Sequence, residues 1–216
     1  MTIITVANSK GGVGKSTLAG NLAVMSAAEN NRTLLIDADP QKSALNFRNR
    51  READDITAIA PSGKIRSDLK SLEDSFDVAI IDCGGHNSNL LVEAMGLAHL
   101  LIVPVEPGQA EYDSLETLLA QISPICDAKQ SIGAPFAARL LLNRVVSGAA
   151  IGRDFRDALD GFAEMVPTIK PQLGQRTDFK YAHAAGLGIG EYANSSQAAA
   201  EVRRVWKEIK LILEAL

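Results

Sequence analysis

The sequence lacks several features that would mark a secreted or membrane protein. It has two cysteines, Cys83 and Cys126, among 216 residues, which is too few for a disulfide framework and makes a reducing compartment the default. No apolar run approaches the roughly 20 residues of a membrane span. The start of the chain is uncharged and strand-like before Lys10, unlike a secretory signal peptide. We therefore expect a cytoplasmic protein with no membrane partner.

An excess of positive charge, internal repeats, low-complexity tracts and a domain linker are also missing. The formal net charge is −4, so the charge of the whole chain does not favour nucleic acid, and any DNA binding has to come from a local patch. Hydrophobic residues make up 46% of the chain, which is enough for a substantial core. The length and the absence of a linker predict a single domain over residues 1–216.

Apolar runs typical of β-strands alternate with stretches of helical periodicity. The predicted strands are Thr2–Ala7, Thr33–Asp37, Ile56–Ala60, Val78–Asp82, Leu100–Val105, Ala138–Asn143 and Met165–Ile169. The predicted helices are Lys15–Glu29, Ser43–Glu52, Ile65–Leu72, Asn89–Gly96, Ser114–Ile122, Arg153–Phe162, Arg176–His183 and Ser196–Leu213. Several strands are apolar without alternation, as in strands covered on both faces. The order predicts an α/β fold with a doubly wound, mainly parallel sheet flanked by helices.

A glycine-rich turn, Asn8 to Thr17, joins the first predicted strand to the first predicted helix. This is the context of a phosphate-binding loop, where backbone N–H groups converge on phosphate oxygens and the helix dipole adds positive potential. Lys15 would reach the β- and γ-phosphates, and the Ser16 hydroxyl would hold Mg²⁺. The nucleotide-binding residues predicted here are Gly11, Gly12, Val13, Gly14, Lys15, Ser16 and Thr17.

The loop departs from the common pattern because Ser9 stands at the first glycine position and a second lysine, Lys10, follows it. This is the deviant Walker A form, and the chain resembles the ParA/MinD family of P-loop ATPases over nearly its whole length. Within that family it is similar to the short, plasmid-type ParA partition proteins. The resemblance implies ATP and Mg²⁺ as ligands. It also implies that Lys10 crosses a dimer interface and contacts phosphates bound by the other subunit.

Two acidic segments follow predicted strands, at the sheet edge where α/β proteins bind their ligands. Asp37 and Asp39, before Pro40, resemble the family's switch I, which implies that Asp39 positions the hydrolytic water and Asp37 reaches the Mg²⁺ shell through water. Asp82 ends an apolar strand in the manner of a Walker B motif and would hold Mg²⁺. Many family members have Asp-x-Pro-Pro there, whereas this chain has Asp-Cys-Gly-Gly over residues 82–85. The two glycines would allow the backbone to approach the γ-phosphate closely.

Asn143 follows the predicted strand Leu140–Leu142, at the place where family members contact adenine through an asparagine amide. An amide pairs naturally with the N6/N1 edge of adenine. Asparagine is also a common residue of turns after strands, so both interpretations of Asn143 stay open.

Basic residues of the last third are the candidates for DNA contact: Arg176, Lys180, Arg203 and Lys207. From Arg176 onward the chain has six basic and five acidic residues, so composition alone equally fits a solvated helix face. The segment nevertheless resembles the ending of small partition ATPases, whose last helices bind DNA phosphates without sequence preference.

The resemblance implies an ATP hydrolase that forms a homodimer on ATP, binds non-specific DNA and segregates or positions plasmid or chromosomal DNA. A ParB-type centromere-binding protein or a cargo adaptor would stimulate hydrolysis, and the protein would be cytoplasmic and nucleoid-associated. It would have no N-terminal helix-turn-helix extension. Two alternatives stay open. A MinD-like membrane-cycling ATPase would need an exposed amphipathic C-terminal helix, and a metabolic P-loop ligase would need a substrate pocket in place of a dimer face.

Overall fold

In the computed structural model, which describes residues 1–84 and 88–216 apart from the side chains of residues 88 and 111, six strands form one parallel sheet. They are β1 (Thr2–Asn8), β2 (Thr33–Asp37), β3 (Ile56–Ile59), β4 (Val78–Gly84), β5 (Leu100–Val105) and β6 (Ala137–Leu142). Their order across the sheet is β3-β2-β4-β1-β5-β6. The six strands lie where the sequence predicts them, and the doubly wound parallel sheet is confirmed.

Helices cover both faces of this sheet. They are α1 (Lys15–Ala28), α2 (Ser43–Arg50), α3 (Ile65–Leu72), α4 (Ser88–Leu97), α5 (Gln109–Ser131), α6 (Ala150–Leu159), α7 (Asp178–Ala184), α8 (Ile189–Tyr192) and α9 (Gln197–Glu214). Helices α1, α2, α7, α8 and α9 pack on one face, and α3 to α6 pack on the other. On β2, Leu35 points into the first core, whereas Leu34 and Ile36 point into the second. This alternation follows from the two-residue period of a strand.

The strand register gathers the predicted site residues at one edge of the sheet. Asp37 of β2 is aligned with Asp82 of β4, and Asp82 is aligned in turn with Val6 of β1. Two pairs further along, Asn8 is aligned with Gly84. Because all three strands are parallel, their carboxyl ends, and the loops that follow them, lie side by side at the centre of the sheet.

The predicted strand Met165–Ile169 is wrong. The segment lies beside β6 but forms only one bridge, Leu140 with Thr168. The N–H of Leu140 donates to Pro167 at 3.0 Å, and the N–H of Ile169 donates to Leu140 at 2.9 Å. Pro167 and Pro171 have no N–H to donate, which limits the ladder on this edge.

Other differences concern helices. The predicted helix Ser114–Ile122 is the middle of the longer α5, and the short α8 was not predicted. Within the described residues, no helix combines the length and the apolar character needed to cross a membrane.

Candidate nucleotide site

The glycine-rich turn is ordered by the side chain of Asn8 at its start and by helix α1 at its end. The side chain of Asn8 accepts a hydrogen bond from the N–H of Lys10 and donates one to the carbonyl of Pro104, each at 2.9 Å. Gly12 and Gly14 have φ angles of 80° and 90°, which residues with a side chain rarely adopt. Helix α1 starts directly after Gly14 and so directs its N-terminal N–H groups toward the loop.

Lys15 closes the loop from inside. Its ammonium group donates to the carbonyl of Lys10 at 2.8 Å, and the residue is 6% exposed. Burial lowers the pKa of Lys15, whereas the nearby charges of Asp82 and Asp39 act to raise it. A desolvated cation among backbone N–H groups is a strong site for an anion.

Asp82 is the unusual residue of the site, because both of its carboxylate oxygens are buried and neither has a hydrogen-bond partner within residues 1–84 and 88–216. Burial raises its pKa to about 7, and the charge of Asp37 adds to this, whereas the nearby Ser16 hydroxyl and Lys15 lower it. A buried, unpaired carboxylate is costly unless a ligand completes its environment. The Asp82 carboxylate and the Ser16 hydroxyl are oxygen ligands of the kind that Mg²⁺ prefers beside nucleotide phosphates, so these residues fit a Mg²⁺ ion.

Asp37 is already occupied by backbone contacts. One of its oxygens accepts the N–H of Asp39 at 3.1 Å, and the other accepts the N–H of Leu45 at 2.8 Å. Burial nevertheless raises the pKa of Asp37. The sequence did not predict this role, in which Asp37 orders the turn after β2 and the first turn of α2. Its contact with the Mg²⁺ shell stays a prediction.

Asp39 joins the two acidic segments. One of its oxygens accepts the N–H of Gln41 at 2.9 Å. The other faces Gly84 so closely that a Cβ on that glycine would lie 2.0 Å away. The first glycine of the Asp-Cys-Gly-Gly departure therefore leaves room for the Asp39 carboxylate. Gly85, the second, lies outside the described residues.

A cavity of about 520 Å³ opens beside the phosphate loop. Its lining residues are Gly14, Thr17, Leu18, Asn21, Asn143, Arg144, Phe179, Lys180, Val202 and the segment 173–177. The amide of Asn143 donates to the carbonyl of Val13 at 2.7 Å and accepts the N–H of Arg144 at 3.0 Å. Asn143 thus contacts the phosphate loop itself, and its predicted contact with adenine stays a prediction.

The four basic residues predicted to contact DNA do not form one surface. The Arg176 guanidinium donates to Glu201 at 2.7 Å and lines the cavity beside the loop, as does Lys180. Arg203 and Lys207 are exposed one turn apart on α9, and Arg203 donates to Asn194 at 3.1 and 3.0 Å. The exposed basic surface of α9 is therefore separate from the cavity.

Helix α9 is docked on the body of the protein. Its apolar residues Val202, Val205 and Ile209 are buried in the core next to α1. The Trp206 N–H and the Lys210 ammonium both donate to Glu29, at 3.0 and 2.7 Å. The apolar stripe that these residues form along α9 is thus covered by the core on this face of the sheet.

Comparison with known proteins agrees with this geometry. Residues 4–189 match the family described as the CobQ/CobB/MinD/ParA nucleotide binding domain. Protein ParA of Rhizobium radiobacter is 28% identical over 184 residues, covering 83% of this chain and 81% of its own. Maintenance of carboxysome distribution protein A of Gloeobacter kilaueensis is 29% identical over 217 aligned residues, covering 96% and 93%.

Solved structures show the same fold. The apo McdA of Cyanothece superposes with a TM-score of 0.76 at 18% identity and covers 99% of both chains. The Mg-ADP complex of MinD from Pyrococcus horikoshii superposes with a TM-score of 0.71 at 16% identity, covering 96% of this chain and 95% of its own. With the loop, the acidic strand ends and the family match together, the chain belongs to the CobQ/CobB/MinD/ParA family of nucleotide-binding domains, as its deviant Walker A motif predicted.

Proposed function

We propose that this chain is a Mg²⁺-dependent ATP hydrolase that dimerises on ATP, binds non-specific DNA and positions a DNA or protein cargo. The observation that carries the proposal is the pair formed by buried Lys15 and partnerless Asp82 beneath a loop that also presents Lys10. A buried cation whose pKa responds to the charge of a nearby buried carboxylate suits the binding of a metal-bound triphosphate.

Each residue of the site has a proposed role. Lys15 binds the β- and γ-phosphates, together with the N–H groups of residues 11–17. Ser16 and Asp82 would hold Mg²⁺, which neutralises phosphate charge when it is bound. Asp39 lies beside Gly84 at the end of β4, where its carboxylate can accept a hydrogen bond from the attacking water. Asp37 holds the turn that carries Asp39.

Lys10 is the residue from which we infer a dimer. The backbone carbonyl of Lys10 accepts a hydrogen bond from the Lys15 ammonium. The side chains of these two lysines start from opposite ends of one short loop. In the proposed dimer, Lys10 of the partner subunit contacts the phosphates. The site is then complete only when two nucleotide-bound subunits face each other, which makes the oligomeric state respond to ATP.

The cargo function rests on sequence relatives and on α9. The relatives described above carry the names ParA and Maintenance of carboxysome distribution protein A, which support a positioning role. Arg203 and Lys207 are exposed on α9 and are the proposed contacts to DNA phosphates. Docking of the apolar stripe of α9 on α1 favours DNA over the membrane alternative, because an interfacial helix needs a free apolar face.

The test is ATP hydrolysis, measured with and without Mg²⁺, together with co-sedimentation on DNA or on anionic liposomes in the presence of ATP. We expect slow hydrolysis that DNA and a partner protein stimulate, ATP-dependent sedimentation with DNA, and none with liposomes. We expect Lys15→Ala to lower ATP hydrolysis about a hundredfold or more. Hydrolysis that ignores DNA and partner, or tight coupling to a small carboxylate substrate, would support the ligase alternative instead.

A further inference from the structure

Val202 of α9 lines the cavity beside the phosphate loop, and the carboxylate of the preceding residue, Glu201, contacts two further lining residues, Gly174 and Arg176. We infer that Glu201 is a positioning residue for the base of the nucleotide, because it fixes Arg176 and the segment 173–177 around the base pocket. This inference rests on the proposed binding of ATP. It also assigns Arg176 to the nucleotide and away from the DNA surface.

The contacts of Glu201 join α9 to this wall at three points. One oxygen accepts the Arg176 guanidinium at 2.7 Å. The other accepts the backbone N–H of Gly174 at 3.0 Å and a second nitrogen of Arg176 at 3.3 Å. Gly174 and Arg176 both line the cavity, and Val202, the next residue on α9, lines it as well.

These contacts are largely shielded from solvent. Glu201 is 6% exposed and the side chain of Arg176 is 25% exposed. A carboxylate at this depth needs its partners, because removing them leaves a buried charge unpaired. The hydrogen bonds that Arg176 donates to Glu201 also raise the pKa of Arg176, and they hold the guanidinium in place.

The glycine at 174 brings the backbone and the guanidinium close together. A Cβ at this position would lie 3.0 Å from a terminal nitrogen of Arg176. In this path of the segment, Arg176 is folded back over Gly174 toward Glu201. This path leaves open the cavity between 173–177 and the residues Thr17 and Leu18 of α1.

The two halves of the nucleotide are thus held by different parts of the chain. The loop at residues 10–17 would bind the phosphates. The loop contacts described above do not involve Glu201. The base would lie between α1 and the segment that Glu201 holds. Loss of Glu201 should therefore weaken the recognition of the base and leave the recognition of the phosphates intact.

The experiment compares ATP with CTP, which has the same ribose and phosphates but a smaller base. Equilibrium competition gives both affinities for the unaltered chain and for the variant Glu201→Gln. We expect the unaltered chain to prefer ATP. We expect Glu201→Gln to weaken ATP binding about tenfold, from the loss of charge-assisted hydrogen bonds, and CTP binding less than twofold. In hydrolysis assays KM for ATP should rise while kcat stays within about twofold.

Two further variants keep the test decisive. Arg176→Lys retains the charge but not the fork of donors, so we expect a smaller loss of about threefold for ATP. This variant serves in place of Glu201→Gln should that protein fail to fold. Glu208→Gln, on the same helix but outside the cavity, is the matched control and should leave both affinities unchanged.

An equal fall in ATP and CTP affinity, or no fall at all, would overturn the inference. Equal affinity of the unaltered chain for ATP and CTP would overturn it too, while leaving ATP hydrolysis in place. If Lys15→Ala bound ATP as tightly as the unaltered chain, the proposed function itself would fail. At saturating ATP, Arg176→Gln, which removes the charge, should bind DNA as the unaltered chain does, and a loss of DNA binding there would return Arg176 to the DNA surface.

Discussion

Buried charges are arranged in opposite ways in two regions of the molecule. The phosphate side is the loop at residues 10–17 with the carboxyl ends of β2 and β4, and the C-terminal side is residues 173–214 with the end of α2 that contacts them. On the phosphate side, Asp82 is buried with no hydrogen-bond partner in the described part of the chain, and burial lowers the pKa of Lys15. On the C-terminal side, buried Arg51 pairs with two carboxylates, and Glu201 pairs with Arg176.

The difference separates residues that await a ligand from residues that hold the fold. An uncompensated charge costs stability until a ligand compensates it, whereas a paired charge costs stability when one partner is removed. Substitutions of Arg51 and of Asp82 should therefore change stability in opposite directions, whereas substitutions at Gly84 and on the exposed face of α9 should change ATP hydrolysis and DNA binding.

The largest effect should come from Arg51, which joins the end of α2 to α8 and to the turn before it. Its side chain is 1% exposed and donates to Asp55 at 2.7 and 2.6 Å and to Glu191 at 2.7 Å. Arg51→Met leaves both carboxylates without their partner, and we expect the free energy of unfolding to fall by about 3 kcal/mol. Chemical denaturation measures it. The exposed pair of Arg32 with Asp77 supplies the control, because Arg32→Met should change stability little.

The Arg51 contribution should depend on pH. The hydrogen bond from Arg51 lowers the pKa of Asp55 below its ordinary value of 3.8. A lowered folded-state pKa gives stability that is present above the unfolded value and lost as the pH falls through the folded one. The gap between Arg51→Met and the unaltered chain should therefore narrow below pH 3.8. A gap that stays constant there would mean that packing, rather than charge, causes the loss.

The next effect should come from Gly84→Ala, which tests the contact between the two acidic segments. A Cβ there would lie 2.0 Å from a carboxylate oxygen of Asp39, so the carboxylate has to move. We expect kcat for ATP hydrolysis to fall about thirtyfold, because a displaced water-orienting group loses its alignment. Gly96→Ala, where a Cβ would meet nothing within 4 Å, should leave kcat unchanged. Equal kcat in both variants would remove Asp39 from the proposed mechanism.

A smaller effect of the opposite sign should come from Asp82→Asn. Its carboxylate is buried and has no hydrogen-bond partner among the described residues, so removing the charge should raise the free energy of unfolding at pH 8 by about 2 kcal/mol in metal-free buffer. The same variant should lose the stabilisation that Mg²⁺ and ATP together give the unaltered chain. A loss of stability in metal-free buffer would contradict the contrast drawn between the two sides.

The smallest effect should come from the exposed face of α9. Arg203→Ala and Lys207→Ala should each weaken ATP-dependent DNA binding about threefold. Each should also reduce the slope of log affinity against log salt concentration by about one. Fluorescence anisotropy at several salt concentrations measures both quantities. Lys64→Ala, on the far side of the sheet near α3, is the control. Unchanged binding in both α9 variants would place the DNA surface elsewhere.

The phosphate side was predictable because its signals are local. Lys10, Lys15 and Ser16 lie within one short turn, and each acidic segment lies at the carboxyl end of a buried strand. Parallel strands bring such segments together without further information. The predicted helix and strand positions of the first 142 residues differ from the structure mainly at helix ends.

The base side was not predictable because its contacts join distant parts of the chain. Asn143 meets Val13 across 130 residues, and the N–H of Ile189 meets the side chain of Asn21 across 168. The pairing of Arg176 with Glu201 joins two charged residues that composition alone places on solvated helix faces. Charge patterns cannot tell a paired arginine from a free one, so Arg176 and Lys180 were grouped with the exposed residues of α9.

The central claim, that one short loop supplies lysines to two active sites, is tested most directly by mixing two inactive variants. Lys10→Ala keeps its own loop and Asp39 but gives no lysine to its partner, whereas Asp39→Ala gives Lys10 but cannot orient water. In a symmetric dimer, each mixed pair has one complete site, so mixing equal amounts should restore about a quarter of the unaltered ATPase rate. A mixture no more active than its separate components, or full activity of Lys10→Ala alone, would contradict the claim.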